Sequence, residues 1–265
     1  MTVRLDELSG PAVARLLTSE SVLVLPTGAI EHHGTHLPLA TDSIMAEAVA
    51  SAVVERARSQ GVDAWTLPPL SYGSSAEHTW APGTLSLSNA TVLAVLGDLG
   101  ESIARTPARK VVFLNGHGGN VAVLQIALRD LKRRFGLETF FTTFEVPPGD
   151  GTEGPDERGM AIHGGYSETS LMLHLCADLV DLSGASRHVP DHLLSFGRIG
   201  FAGKPVTMGW LSNDFDDSGV IGDPTGASAE RGAALFERAV RDGALSLAEI
   251  AQFSPRPIRN TGAQA

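Results

Sequence analysis

Two short apolar runs, each ending in a glycine-containing turn, constrain this chain most. SVLVLP (21–26) leads into Thr27-Gly28, and KVVFL (110–114) leads into NGHGGN (115–120). Runs of this length bounded by turn residues read as buried strands. Longer stretches with apolar residues at helical spacing lie around them. Residues 43–59 carry Ile44, Val49, Val53 and Val54 in an alanine-rich background. Further helices are expected over 89–105 and over 121–135, the latter capped by Asn120, with strands over 64–67 and 138–144. Alternation of this kind implies βαβ units, hence an α/β fold with a mostly parallel sheet and helices on both faces. In such folds, sites lie beyond the carboxyl ends of the strands. GAIEHHG and NGHGGN both fall there.

The rest of the chain is read more loosely. Ser9-Gly10-Pro11 opens an early helix, with Ser9 as its cap and Pro11 in its first turn. Residues 71–87 and 147–161 have loop composition, and the second is expected to cover something. Residues 169–179 read as helix and 184–222 as irregular, and Pro224-Thr225 opens a final helix, with a separate short one near 245–252. Residues 255–265 read as a frayed tail. No repeat or linker divides the chain, so residues 1–265 are expected to form one domain.

Charge and cysteine content narrow the function classes. Net charge is −10 with no basic stripe, which argues against nucleic acid and against anionic membrane surfaces. No stretch approaches eighteen consecutive apolar residues, so no membrane span is expected. The N-terminus lacks an apolar run of signal-peptide length, which makes the cytoplasm the default location. Cys176 is the only cysteine, which rules out a disulfide within the chain and a thiolate zinc cluster. It reads as a small core residue.

The chemistry concentrates in three segments. GAIEHHGTHLPLATD (28–42) holds Glu31, His32, His33, His36 and Asp42 in an otherwise apolar setting. Such groups are costly to gather unless something cationic binds them. Glu31 and His33, two apart on an extended segment, point the same way, and Asp42 has two oxygens with which to bridge two ions. His32 and His36 are weaker candidates, read as supports to the ligands or as structural. In NGHGGN, His117 lies among glycines that let a ligand approach the backbone. In HGGYSET (163–169), His163 is a candidate proton donor or acceptor and Glu168 a candidate ligand that could equally cap its helix. Glu77, His78 and Trp80 could form part of a substrate wall, or simply anchor a surface loop. Taken singly, each cluster also reads as a hydrogen-bonded loop; together they read as one hydrolytic metal centre. The mixed histidine and carboxylate set suits zinc, manganese or iron(II). No GxSxG elbow, HExxH helix or P-loop is present.

These motifs resemble those of the creatininase family, the creatinine amidohydrolases and their relatives. The resemblance rests on PTGAIEHHGTHLPLATD, AEHTWAPGTLSLS, FLNGHGGN, HGGYSETSLML and GVIGDPTGAS, which span nearly the whole chain. It implies a three-layer α/β/α sandwich, two divalent metal ions with zinc foremost, and commonly a homohexamer. It also implies hydrolysis of a C–N amide bond in a cyclic amide, formamide or small peptide by a metal-bridging hydroxide. Glu31, His33, Asp42 and His117 match the family's metal ligands, Glu168 a ligand or neighbour of the ions, and His163 the catalytic histidine that protonates the departing nitrogen. Two departures stand out. Creatininase proper carries a metal-binding Glu two residues after the histidine, where this chain has Gly119, so Glu168 or water is expected to complete that shell. Creatinine-hydrolysing members place a tryptophan just before the late histidine motif, and none stands there. This argues against creatinine and leaves other small amides, or a peptide as in the branch that trims the mycofactocin precursor. The alternative from another class is a non-catalytic metal or small-ligand binding protein.

Overall fold

The computed structural model describes residues 3–144, 146–201 and 203–255. In chain order, the main elements are α1 (Gly10–Leu16), β1 (Val22–Thr27), α2 (Thr41–Ser59), β2 (Ala64–Thr66), α3 (Asn89–Ala104), β3 (Lys110–Asn115), α4 (Val121–Phe135), β4 (Glu138–Thr143), α5 (Tyr166–Cys176) and α6 (Ala229–Gln252). The sheet runs β2-β1-β3-β4 with every pairing parallel. Within 184–222, two-residue strands, Ile199–Gly200 and Val206–Thr207, pair with each other.

Side chains alternate across the strands, and each face is covered. Leu23, Leu25, Val111 and Phe113 point to one side and pack with Val92 and Leu96 of α3 and Leu124 and Leu131 of α4. Val22, Val24, Val112 and Leu114 point to the other and pack with Val49 and Val53 of α2 and Val240 and Leu247 of α6. Burial of both faces explains why β1 and β3 are continuous apolar runs rather than alternating ones. The result is the three-layer α/β/α sandwich, with α5 stacked on α6 and sharing a smaller cluster of Leu171, Met172 and Leu235.

Register decides where the chemistry goes. Val22 pairs with Lys110, and Thr27 with Asn115, so β1 and β3 end level with each other. GAIEHHG and NGHGGN therefore leave the sheet side by side.

Several sequence expectations need correction. The final helix and the short one near 245–252 are one continuous helix, α6, and it starts at Ala229 rather than Pro224. Asp223 Oδ1 instead accepts from Thr225 N (3.0 Å) in a tight turn, and Ser228 caps α6 by accepting from Arg231 N (3.2 Å). α5 begins at Tyr166, which puts Glu168 in its first turn. Pro11 sits in the first turn of α1 as expected, but the Ser9 hydroxyl makes no cap bond. Asn120 does not cap α4 with its side chain. Cys176 ends α5 half-buried, at the edge of the cluster around Leu171. Residues 256–265, most of the expected tail, lie outside the described residues. Among the described residues, no helix is long and apolar enough to cross a membrane.

Candidate metal centre

The loop after β1 is shaped by one close approach. A Cβ at Gly28 would lie 2.6 Å from Ser43 Cα, so only glycine lets the strand end meet the start of α2. Glu31 N then donates to Leu39 O (2.9 Å), folding the loop back so that Asp42 follows in the first turn of α2. Free N–H groups at a helix start favour a carboxylate there.

Asparagines fix the second segment. Asn115, at the end of β3, accepts from Thr27 Oγ1 (3.0 Å) and donates to His117 O (2.6 Å). Asn120 donates to Gly28 O (2.9 Å) and accepts from Ser74 N (2.9 Å). The residue expected to cap α4 thus joins the loops that follow β1, β2 and β3. The third segment is held by backbone pairing of His163 with Ile221 (3.0 and 2.8 Å).

Three imidazoles spend one N–H on a backbone carbonyl. His33 Nδ1 donates to Glu31 O (3.1 Å), His117 Nε2 to Ser74 O (2.8 Å) and His163 Nε2 to His32 O (2.7 Å). A carbonyl only accepts, so each bond fixes which nitrogen carries the proton. The other nitrogens face carboxylates. His33 Nε2 is 3.2 Å from Asp42 Oδ1, His117 Nδ1 is 3.0 Å from Asp42 Oδ2, and His163 Nδ1 is 3.5 Å from Glu31 Oε1. His78 Nδ1 bonds to Ser212 Oγ (2.9 Å), with Nε2 3.6 Å from Glu31 Oε1. Bonds of this kind to the second nitrogen are what orient histidine ligands in metal sites.

The carboxylates are buried and short of partners. Glu31 is 1% and Asp42 2% exposed. Glu31 Oε2 and Asp42 Oδ2 have no hydrogen-bond partner. Leaving a charged oxygen buried in this way costs several kcal/mol unless positive charge answers it. Ligand atoms of Glu31, Asp42 and His117 lie within 4.8 Å of one another, as do those of His33, Asp42 and Glu168. Asp42 belongs to both triplets. Two donor atoms each about 2.1 Å from one ion stand roughly 3.0–3.4 Å apart at right or tetrahedral angles. The separations between Asp42 and the two histidines fall in that range, so the residues fit a pair of divalent cations.

Charge tells the same story. Burial opposes protonation of His33, but the Asp42 charge and hydrogen bond, with Glu31 and Glu168 behind them, push it up to about 9. Burial likewise opposes charge on His117, and the Glu31 and Asp42 carboxylates close to its ring raise it well above the imidazole value. Asp42 resists ionisation by burial, yet His33 and His117 hold it well below the carboxylate range. Glu168 moves up to about 7 because burial dominates. Burial, then the charges of His33 and His78, drive His163 well below the usual value, and burial takes His78 to about 4. A cluster that pulls protons onto two buried imidazoles is one that demands cations.

The remaining predicted residues sit around this centre. His32 Nε2 bonds to Ser218 O (2.8 Å), and its ring stands edge-on to Trp80. His36 Nε2 faces Gly164 O and Thr169 Oγ1 (3.1 Å each). Trp80 Nε1 donates to Ser212 Oγ (2.8 Å), which in turn donates to Glu77 O (3.1 Å). Sequence reasoning missed Ser212, one serine in a long irregular stretch with no local signal. It also missed Glu157, read only as loop. Glu157 is 1% exposed, and its Oε1 accepts from Asp223 N (2.7 Å) and Tyr166 N (3.3 Å). It clamps the 147–161 loop against the start of α5.

Fold and centre together define a class: a parallel α/β/α protein with a buried carboxylate–histidine cluster beyond the ends of β1 and β3. Comparison with known proteins narrows it. The creatininase family profile, described as creatinine amidohydrolase, matches residues 6–245. A mycofactocin precursor peptide peptidase of Mycolicibacterium smegmatis is 35% identical, over 87% of this chain and 86% of its own. A structure titled creatininase Mn superposes with TM-score 0.73 at 29% identity, covering 96% of this chain and 100% of the other. A Zn–Zn type structure of a creatininase point mutant gives TM-score 0.74 at 29% identity, over 96% and 100%. The chain belongs to the creatininase family of amidohydrolases.

Proposed function

We infer that this protein is a binuclear metal-dependent amidohydrolase whose substrate is a short peptide or peptide-like amide. The observation that carries the reading is Asp42, shared between two ligand triplets with one oxygen toward each histidine. Glu31, Asp42 and His117 would hold one divalent ion and His33, Asp42 and Glu168 the other. The thiolate-free donor set suits zinc foremost, then manganese or iron(II). When bound, such ions supply an acidified water nucleophile and polarise the amide carbonyl.

The chain's own contribution to the proton traffic centres on His163. Its Nε2 proton is committed to His32 O, and its depressed basicity keeps Nδ1 free at neutral pH. Nδ1 can therefore take a proton from the attacking water and pass it to the departing nitrogen, a role worth about 10²–10⁴-fold. The Gly164 N–H holds Glu168 Oε2 at 2.7 Å beside it. Burial of the cluster keeps bulk water from competing for these protons. Trp80 and His78, pinned by Ser212, stand as one wall of the substrate site.

The peptide reading is supported by the peptidase relative and by the tryptophan-free segment before His163. Assembly into a homo-oligomer, a hexamer on the family pattern, belongs to the same proposal. The test is a chelator-stripped protein restored with zinc, manganese or iron(II) and assayed on short peptides, lactams and N-formyl compounds. Metal-dependent release of peptide fragments is expected. A restored protein that binds one ion and turns over none of these amides is instead a binding protein on this scaffold.

A further inference from the structure

Two segments far apart in the chain are tied to each other by a reciprocal pair of bonds. The 28–42 loop carries Glu31, His33 and Asp42, and the 163–169 segment carries His163 and Glu168. His163 Nε2 donates to His32 O (2.7 Å), and His36 Nε2 donates to Gly164 O (3.1 Å). Each segment thus sends one imidazole N–H to a carbonyl of the other. A carbonyl only accepts, so in both rings Nε2 carries the proton. The first bond belongs to a residue with a place in the proton traffic. The second belongs to His36, which is in neither ligand triplet.

We propose that His36 is a positioning residue, the strut that sets His163 and Glu168 against the 28–42 loop. Gly164 is the point on which it acts. The Gly164 N–H holds Glu168 Oε2 (2.7 Å) while its carbonyl takes the His36 proton, so this residue is gripped on both sides. It directly follows His163, whose backbone pairs with Ile221. Gly164 has a φ of 65°, in the left-handed region that glycine enters freely. A glycine there imposes no conformation of its own, and the bond from His36 supplies the constraint.

The strut is fixed along its length. The His36 carbonyl accepts from Asp181 N (3.0 Å), and the neighbouring Thr35 Oγ1 donates to Gly184 O (3.0 Å). His36 is 2% exposed. Its ring lies in a slot with glycines on two sides. A Cβ at Gly34 would stand 3.2 Å from His36 Nδ1, and a Cβ at Gly164 would stand 3.6 Å from His36 Cε1. Nε2 also reaches Thr169 Oγ1 (3.1 Å), one residue after Glu168 in the first turn of α5. A side chain locked by packing and hydrogen bonds in this way can hold a reactive group to within about 0.5 Å.

The consequence for turnover rests on the amidohydrolase reading, and the test separates the two. Three variants of the zinc-saturated full-length protein are compared with wild type. His36→Leu fills the slot without a donor. His36→Asn carries an amide too short to reach Gly164 O, and His36→Gln puts an amide nitrogen near the place of Nε2. Solvent exchange of the His163 Nε2–H is read by ¹⁵N-histidine magnetic resonance and assigned by its loss in His163→Gln. It should quicken about five- to tenfold in His36→Leu and His36→Asn, the equivalent of about one hydrogen bond, and stay slow in His36→Gln. On a short peptide that the wild type cleaves, kcat should fall by up to about 10²-fold in the first two with KM unchanged, and recover in His36→Gln. Wild-type exchange in a folded His36→Leu protein overturns the proposal, as does an equal loss in His36→Gln. Faster exchange with unchanged kcat also overturns it, because a merely structural contact behaves that way. Should His36→Leu fail to fold, His36→Asn against His36→Gln decides. In wild type itself, a His36 ring protonated on Nδ1 instead of Nε2 overturns the assignment whichever variants fold. If the wild type cleaves no amide, the amidohydrolase reading falls, and exchange at His163 still decides the strut.

Discussion

Asp42→Asn tests the centre at its junction. The substitution keeps the volume and removes one charge. Oδ1 lies 3.2 Å from His33 Nε2 and Oδ2 3.0 Å from His117 Nδ1, so both triplets lose an anionic donor at once. Even a supporting contact in a metal site is typically worth about 10–100-fold in affinity. Two such losses multiply, so the overall constant for binding two ions falls by about 10²–10⁴, or ~3–5.5 kcal/mol at 1.4 kcal/mol per decade. The sheet should survive, because its two faces are packed by residues such as Leu23, Phe113, Val24 and Leu114, none of which touches this carboxylate's role. Calorimetric Zn²⁺ titration of the stripped variant, with far-ultraviolet circular dichroism as the folding control, reads both quantities. A folded Asp42→Asn protein that takes up two ions at wild-type affinity, or keeps full turnover, would refute the shared-carboxylate argument.

Gly28→Ala drives a Cβ to 2.6 Å from the Ser43 backbone, which should cost about 1–3 kcal/mol and, by shifting the start of α2, also lower metal affinity. Chemical denaturation and metal titration measure the two effects, and an unchanged stability contradicts the close-approach reading. Glu157→Ala leaves the N–H groups of Asp223 and Tyr166 without their acceptor, a loss of about 1–3 kcal/mol, and should speed proteolysis within 147–161. Equal cleavage rates in variant and wild type would show that Glu157 is no clamp. In the stripped protein, His33 titrates at about 9 against an ordinary 6.5, so the fold holds its proton more tightly than the unfolded chain does. Its contribution is complete below about pH 6.5 and is lost as pH rises through about 9, so the metal-free melting temperature should fall across that window. Metal uptake below pH 9 should release protons, seen as heats that vary with buffer ionisation enthalpy. A flat melting profile with no proton release contradicts the assigned charge states.

What was legible in the sequence is what depends on near neighbours. β1 and β3 announce themselves because both sheet faces are covered, which makes each strand a continuous apolar run. Their turns carry Glu31, His33 and His117, and the parallel register sets those turns side by side. α6 runs unbroken across the point where the sequence suggests two separate helices. Gly243 is not a stop; a Cβ there would lie 2.6 Å from Val53 Cγ2, so it marks the close contact of α6 with α2. An isolated helical glycine costs about 1 kcal/mol in propensity, and the packing of Ala239, Val240, Ala244 and Leu247 outweighs it.

What was not legible depends on distant partners. Glu157 finds Asp223 across 66 residues, and Ser212 finds Glu77 across 135. Neither residue carries a local pattern that distinguishes it from solvated loop. Asn120 shows the point from the other side: its position before a helix favours capping, yet its amide bonds to Gly28 and Ser74 instead. Capping satisfies one N–H that water could also reach, whereas the loop junction buries a carbonyl and an N–H that Asn120 serves. Where local and distant demands compete for one polar side chain, the buried one wins. The residues that make this centre rigid are therefore the ones whose local sequence context points elsewhere.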